Sequence, residues 1–161
     1  NDIGIIGQLI PNLDEDECNG CKKCGVEKVC PMHAAKMVDG ILEIDREICN
    51  NCGRCISHCH FDALDEGTPG YKIYIGGRWG KKIAQGRPLS KIFTDKEEAL
   101  NVIEKAILLF REQGQTGERF ARTIERLGFE NVEAQLLADD LLDRKQEILD
   151  AQLHLVGGAT C

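Results

Sequence analysis

The chain has 161 residues, a net charge of −7 from 20 basic and 27 acidic side chains, and nine cysteines. With 42% hydrophobic and 29% charged residues it is a folding sequence, sized for one domain or one domain plus a small module. No apolar run approaches the roughly 20 residues that span a bilayer, and the acidic balance argues against a general nucleic-acid binder.

Charge is divided along the chain. Residues 1–66 carry 13 acids and 6 bases, residues 67–93 carry six bases and no acid, and residues 94–161 carry 14 acids and 8 bases. Asn1 is not an initiator Met, so the sequence reads as a processed product or a fragment of something longer. A lead-in, residues 1–15, holds the apolar run Ile3, Ile5, Ile6, Leu9 and Ile10, broken by Gly4 and Gly7. Residues 16–66 are cysteine-rich. Within them Asp39-Gly40 separates two strand-like runs and predicts a hairpin. Gly67-Thr-Pro-Gly70 predicts the turn that leaves this module. Tyr71-Lys-Ile-Tyr-Ile75 alternates and predicts a strand, ended by Gly76-Gly77.

Thr94-Asp-Lys-Glu97 is a capping-box signal. Ala99, Val102, Ile103, Ala106, Ile107 and Phe110 then recur at helical spacing and predict a helix over about 95–113, stopped by Gly114. A second helix is predicted over about 118–127, with Phe120, Ile124 and Leu127 inward and Gly128 at its end. A third is predicted from Val132 after an Asn131 cap, with Val132, Leu136, Leu137, Leu141, Ile148 and Leu149 on its apolar side. All three apolar faces are read as packing. The last two helices and their Gly turn imitate a helix-turn-helix, but the negative charge of the block argues against DNA. Residues 151–161 read as a tail.

Eight of the nine cysteines fall into two halves: Cys18-x2-Cys21-x2-Cys24-x5-Cys30-Pro31, and Cys49-x2-Cys52-x2-Cys55-x3-Cys59-His60. Cys49, Cys52 and Cys55 each follow Cys18, Cys21 and Cys24 by 31 residues, and Ala34 and Ala63 each follow the fourth cysteine of their half by four. Three thiolates at this spacing wrap a short loop around one iron–sulfide cube and leave its last corner for a ligand from elsewhere. Structural zinc uses paired spacings, which the triplets exceed. A disulfide framework does not account for a repeated triplet. His33, His58 and His60 lie beside the cysteines and are read as surface or packing residues. Cys161 is read as a free thiol.

This segment resembles the two-cluster bacterial ferredoxins, in which the fourth Cys of each run ligates the other cluster. The resemblance implies one 4Fe-4S cluster on Cys18, Cys21, Cys24 and Cys59, and a second on Cys49, Cys52, Cys55 and Cys30. Two departures stand out: five residues rather than three precede Cys30, and His60 replaces the usual proline. A module of about 50 residues has little core, so the clusters are expected to supply much of its folding free energy. Lys22 and Lys23 lie between cluster cysteines and are read as offsetting cluster charge or as solvated.

The remaining residues carry a second resemblance. Tyr71-Lys-Ile-Tyr-Ile-Gly-Gly-Arg-Trp-Gly80, the helix from Thr94 to Gly114, and Gly117-Glu-Arg-Phe120 resemble the last part of siroheme-dependent sulfite and nitrite reductases, of the dissimilatory and anaerobic type. That likeness covers about 1–12 and 67–150. It implies an α+β fold: a two-cluster ferredoxin module inserted in or joined to a mixed α/β half-domain with a helical C-terminal part. It also implies that Gly76, Gly77, Arg78, Lys81 and Lys82 contact siroheme carboxylates or an anionic substrate. The alternatives for that stretch are a solvated basic loop or a docking patch for an acidic partner. Cys24-x5-Cys30 and Cys55-x3-Cys59 match the family's own siroheme-cluster spacing literally, but that match leaves four cysteines without a role. The siroheme ligands are therefore expected upstream of Asn1.

The expected function is the iron–sulfur portion of a sulfite or nitrite reductase, passing single electrons through two 4Fe-4S clusters toward a siroheme present only in the full enzyme. The alternative is a free-standing ferredoxin-like carrier that docks to a partner oxidoreductase. The expected partners are the remainder of such a reductase or a redox protein, with no nucleic acid and no membrane span. Reduced thiolates and oxygen-sensitive clusters imply the cytoplasm of an anaerobic or microaerobic cell.

Overall fold

The computed structural model describes residues 1–80 and 82–153. The chain divides into two compact units: residues 7–70, and residues 1–6 together with the chain from Tyr71 onward. Strand β1 (Ile3–Ile10) begins in the second of these and ends in the first. The fold is α+β, as expected from the sequence.

The unit of residues 7–70 is small. Helix α1 (Gly25–Val29) is followed by strands β2 (Ala35–Val38) and β3 (Ile41–Ile44), then by a single 3-10 turn, Ile56–His58. β2 and β3 pair antiparallel from Ala35↔Ile44 to Val38↔Ile41. Asp39 and Gly40 close the hairpin at φ 49° and 87°, the two positive dihedrals that a turn matching strand twist requires. The apolar centre is Val26, Ala35, Leu42 and Leu64, with cysteine side chains against it. So few buried side chains are a weak basis for independent folding.

The other unit has a conventional core. Strand β4 (Thr68–Ile75) starts three residues earlier than its sequence pattern indicates, so only Gly67 of the expected exit turn stays outside the strand. Strand β5 (Arg87–Phe93) lies in the basic stretch and gave no alternation signal. It pairs antiparallel with β4, with Tyr71↔Phe93 and Ile75↔Arg87 in register and an irregularity between Lys72 and Tyr74. The sheet order is β1-β4-β5.

Helix α2 (Lys96–Gln113) starts one residue later than the capping box suggests. Asp95, not Thr94, is the N-cap: its carboxylate accepts from the Glu97 N–H at 3.1 Å. Helix α3 (Phe120–Leu127) is followed by α4 (Phe129–Leu137), with Gly128 at φ 86° closing one and opening the other. The third predicted helix is in fact three: α4, α5 (Asp140–Asp143) and α6 (Lys145–Asp150). Asn131 is inside α4 rather than capping it, and donates to the Leu127 carbonyl at 3.4 Å. Ile73, Ile75, Leu89 and Phe93 of the sheet meet Val102, Ala106, Leu109, Phe120, Ile124, Val132, Leu136, Leu141 and Ile148 of the helices.

The buried face of α2 is rotated from the predicted one. Ile107 is 61% exposed, whereas Lys105 is only 4% exposed. A lysine is read as a surface residue from sequence, and here its ammonium is satisfied from another segment. Lys105 Nζ meets Asp139 Oδ1 at 2.8 Å, in the break between α4 and α5. Leu137 and Leu149, expected in the core, are about two-fifths exposed because the chain turns after Leu137.

This pair gives an asymmetric prediction. Asp139→Ala removes the exposed carboxylate that pairs with the largely buried Lys105 and should lower stability. Lys105→Met replaces the charge with an apolar chain of similar length and should be neutral or stabilising. Thermal unfolding of the two single variants and the double variant checks this: the double variant should match Lys105→Met.

Candidate metal centres

In each half the third and fourth cysteines are the two ends of one helical turn. Cys24 is the N-cap and Cys30 the C-cap of α1, and Cys55 and Cys59 take the same places around Ile56–His58. Six steps at about 1.5 Å in an α-helix and four at about 2.0 Å in a 3-10 helix both span roughly 8–9 Å. The longer spacer before Cys30 is thus absorbed by a change of helix type.

The repeat extends to the backbone. Asp45 N donates to Ala34 O at 2.8 Å, and Asp14 N to Ala63 O at 2.9 Å. Asp14 Oδ1 accepts from Asp16 N at 3.0 Å, and Asp45 Oδ1 from Glu47 N at 2.9 Å. Gly20 and Asn51 share positive φ, as do His33 and Asp62. Gly25 sits where the two turns meet: a Cβ there would be 2.6 Å from the His58 carbonyl oxygen.

A cavity in this unit is lined by Pro11, Pro31, Met32, Asn50, Gly53 and Arg54 around the four thiols of Cys30, Cys49, Cys52 and Cys55. Cys18, Cys24 and Cys59 are half-buried and adjoin the module's apolar centre. Backbone N–H groups point at two sulfurs of the first half. Leu42 N lies 3.4 Å from Cys18 Sγ, and Ala34 N lies 3.3 Å from Cys30 Sγ. Burial raises the Cys30 thiol pKa, but the N–H groups of Ala35, Ala34, Met32 and His33 outweigh it, so the net shift favours thiolate. Cys55 is pushed up, first by burial and then by Cys49, Cys52 and Cys30 around it. That repulsion is what a cationic iron centre would relieve.

Four cysteines lining one cavity are a donor set of the kind a 4Fe-4S cluster takes. Among the described residues, no three His, Cys, Asp or Glu side chains converge tightly enough for one metal ion. The thiols instead stand around a space. His33, His58 and His60 are exposed, outside that lining, and Lys22 and Lys23 are exposed. The Leu42 and Ala34 N–H donors and the Gly25 contact were not read from sequence. The repeated Ala34 and Ala63 spacing falls on one of these donors, Ala34.

The basic stretch is largely occupied by its own unit. Arg78, with 16% of its side chain exposed, pairs with Glu125 of α3 at 2.9 Å. Gly76 packs under Ile124, and Gly77 lies against the Asn1 carbonyl, where a Cβ would be 2.4 Å away. Lys82 is exposed. Lys81 and Cys161 lie outside the described residues. No helix among the described residues is long and apolar enough to cross a membrane.

Comparison with known proteins agrees with the donor set. Over 131 residues the chain is 30% identical to the coenzyme F420-dependent sulfite reductase of Methanocaldococcus jannaschii, covering 80% of this chain and 20% of that protein. Over 59 residues it is 39% identical to one of the subunits of the ion-translocating oxidoreductase complex of Methanosarcina acetivorans, covering 37% of this chain and 22% of that one. The chain thus spans about a fifth of the length of these curated relatives. The crystal structure of dissimilatory sulfite reductase I shares the fold, with a TM-score of 0.54 at 22% identity, over 84% of this chain and 38% of that one. Residues 1–143 match the family described as nitrite and sulphite reductase 4Fe-4S domain, and the chain belongs to that family.

Proposed function

We propose that this chain is the iron–sulfur electron-transfer portion of a sulfite or nitrite reductase-type oxidoreductase. Two 4Fe-4S clusters would be held, one by Cys18, Cys21, Cys24 and Cys59, the other by Cys49, Cys52, Cys55 and Cys30. The observation that carries the reading is Cys30: a first-half cysteine that lines one cavity with three cysteines of the second half. Bound there, a cluster gains or loses one electron with little movement. The protein's part is to hold eight sulfurs, donate backbone N–H groups to them, and limit water.

Electrons would pass toward a siroheme bound elsewhere in a larger reductase, where repeated single-electron deliveries reduce the anion. The basic stretch is the side of its unit suited to anionic groups, with Lys82 exposed for that role and Arg78 fixing the end of β4 to α3. The module 16–66 is the electron-carrying part and 67–150 the siroheme-reductase-like part. Thiolates and clusters of this kind fit a reducing cytoplasm.

Anaerobic iron and sulfide analysis should give about eight of each per chain. Cys30→Ala should remove the same EPR signal as Cys55→Ala, and Cys59→Ala the same signal as Cys24→Ala. Pairing within halves instead would overturn the ligand exchange.

Gly25→Ala tests the junction of the two turns. Its Cβ would force the His58 carbonyl away, so the variant should lose iron and visible absorbance faster than wild type. Gly7→Ala, with nothing within 4 Å of its Cβ, should not.

A further inference from the structure

The two halves match closely, so the places where they differ are informative. Cys21 and Cys52 are equivalent in the repeat, yet Cys21 is half-buried and Cys52 is exposed. The local sequences are Cys21-Lys-Lys-Cys24 and Cys52-Gly-Arg-Cys55. Where the first half places the long side chain of Lys22, the second has Gly53. That glycine is required: φ is +71°, and a Cβ would be 2.7 Å from Leu9 Cδ2. Leu9 is held there by its N–H, which donates to Asn51 O at 2.8 Å. Packing of the β1 end thus removes a side chain beside Cys52. In the first half, by contrast, Gly20 lies close under the Gly40 carbonyl of the hairpin turn, so the hairpin covers that loop.

Bases flank both loops, Lys22 and Lys23 exposed beside Cys21 and Arg54 beside Cys52, so the exposure of Cys52 rather than the sign of charge separates them. Residues 7–70 hold 12 acids against 6 bases. Asp14, Glu15, Asp16, Asp62 and Asp65 gather around a groove of their own. The cavity of Cys30, Cys49, Cys52 and Cys55 has no acid in its lining, and its charged side chain is that of Arg54. Met32, 41% exposed, adds an apolar contact at the same cavity.

We infer that electrons cross the surface of this module at the Cys52 edge of the second cluster, where Met32 and Arg54 receive a redox protein that presents an apolar contact beside a carboxylate. This rests on the two-cluster reading above. The carboxylate is the complement of Arg54 in a mouth without acids. The step is the loss or gain of one electron by the cluster, with no bond made and no proton moved. Exposure matters because a cluster buried from a partner transfers slowly, while a thiolate at the surface brings the cluster edge close.

The test uses outer-sphere oxidants on the dithionite-reduced protein, followed by stopped flow. Cobalt(III)–EDTA is anionic and hexaammineruthenium(III) is cationic; each takes one electron. Cys59→Ala, which keeps the second cluster, should be oxidised several-fold faster than Cys30→Ala, which keeps the first. Arg54→Glu should slow the anionic oxidant by about threefold or more and speed the cationic one, with both changes shrinking at high salt. In the unmodified protein, a dysprosium chelate in solution should enhance EPR relaxation of the second cluster more than the first, a readout that needs no variant to fold. Equal or reversed enhancement, or Arg54→Glu with no opposed effect on the two oxidants, overturns the inference while leaving the two-cluster reading intact. A protein with half the expected iron overturns both.

Discussion

The two helical turns of the small unit meet at Gly25 with no room for a side chain between them, and much of that unit's arrangement depends on this contact. Cys24 and Cys30 bracket α1, and Cys55 and Cys59 bracket the 3-10 turn, so the fourth cysteine of each half lies beyond a helical turn from its triplet. On the proposed reading the halves lie against each other, each fourth cysteine serving the cluster of the other half. Gly25 allows it, because the His58 carbonyl occupies the space a side chain would need. Paired backbone bonds from Asp14 to Ala63 and from Asp45 to Ala34 then fix the two halves in matching positions. The apolar centre of Val26, Ala35, Leu42 and Leu64 is too small to impose that arrangement alone. On the proposed reading, inorganic clusters take the place a hydrophobic core holds elsewhere.

What could be read from the residues was whatever leaves a local mark. The repeated cysteine spacing is such a mark, and it falls within the compact unit of residues 7–70. The Asp39-Gly40 turn was legible because two positive φ angles restrict the residues allowed. Helix α2 was legible from its period and its stop. Strand β5 was not, because its buried residues, Leu89 and Phe93, are too few and too widely spaced to alternate visibly, and Pro88 weakens the pattern further. Strand β1 was obscured by Gly4 and Gly7. Helix α1 and the 3-10 turn are too short for periodicity to register at all.

The misread face of α2 has a different origin. Its position in the helix buries Lys105 whatever its polarity, and the cost is met by Asp139, a residue 34 positions later. A window of sequence around Lys105 contains no trace of that partner. The same long-range pairing accompanies the break between α4 and α5, since Asp139 leaves the helical path there. One uninterrupted helix was the natural reading of the apolar spacing. The actual chain breaks at Ala138 and Asp139, and the residue at that break is the one that meets Lys105.

The sheet explains how the smaller unit can be housed within the other one's sequence. The chain leaves along β1 and returns along β4, and these strands are neighbours in the order β1-β4-β5. A segment inserted between adjacent strands needs its two ends side by side. Loop-closure entropy grows only slowly with length, so a long insertion costs little more than a short one. The inserted residues must then fold with their own ends together, and their symmetry serves this: Leu13 bridges Leu64 antiparallel, close to where the segment begins and ends. In the other half, Ala35 meets Ile44 in the same relation. The bridge that closes the first half as a hairpin closes the second half around the termini. A duplicated module with this geometry therefore meets the requirement for insertion by the same contacts that hold its halves together.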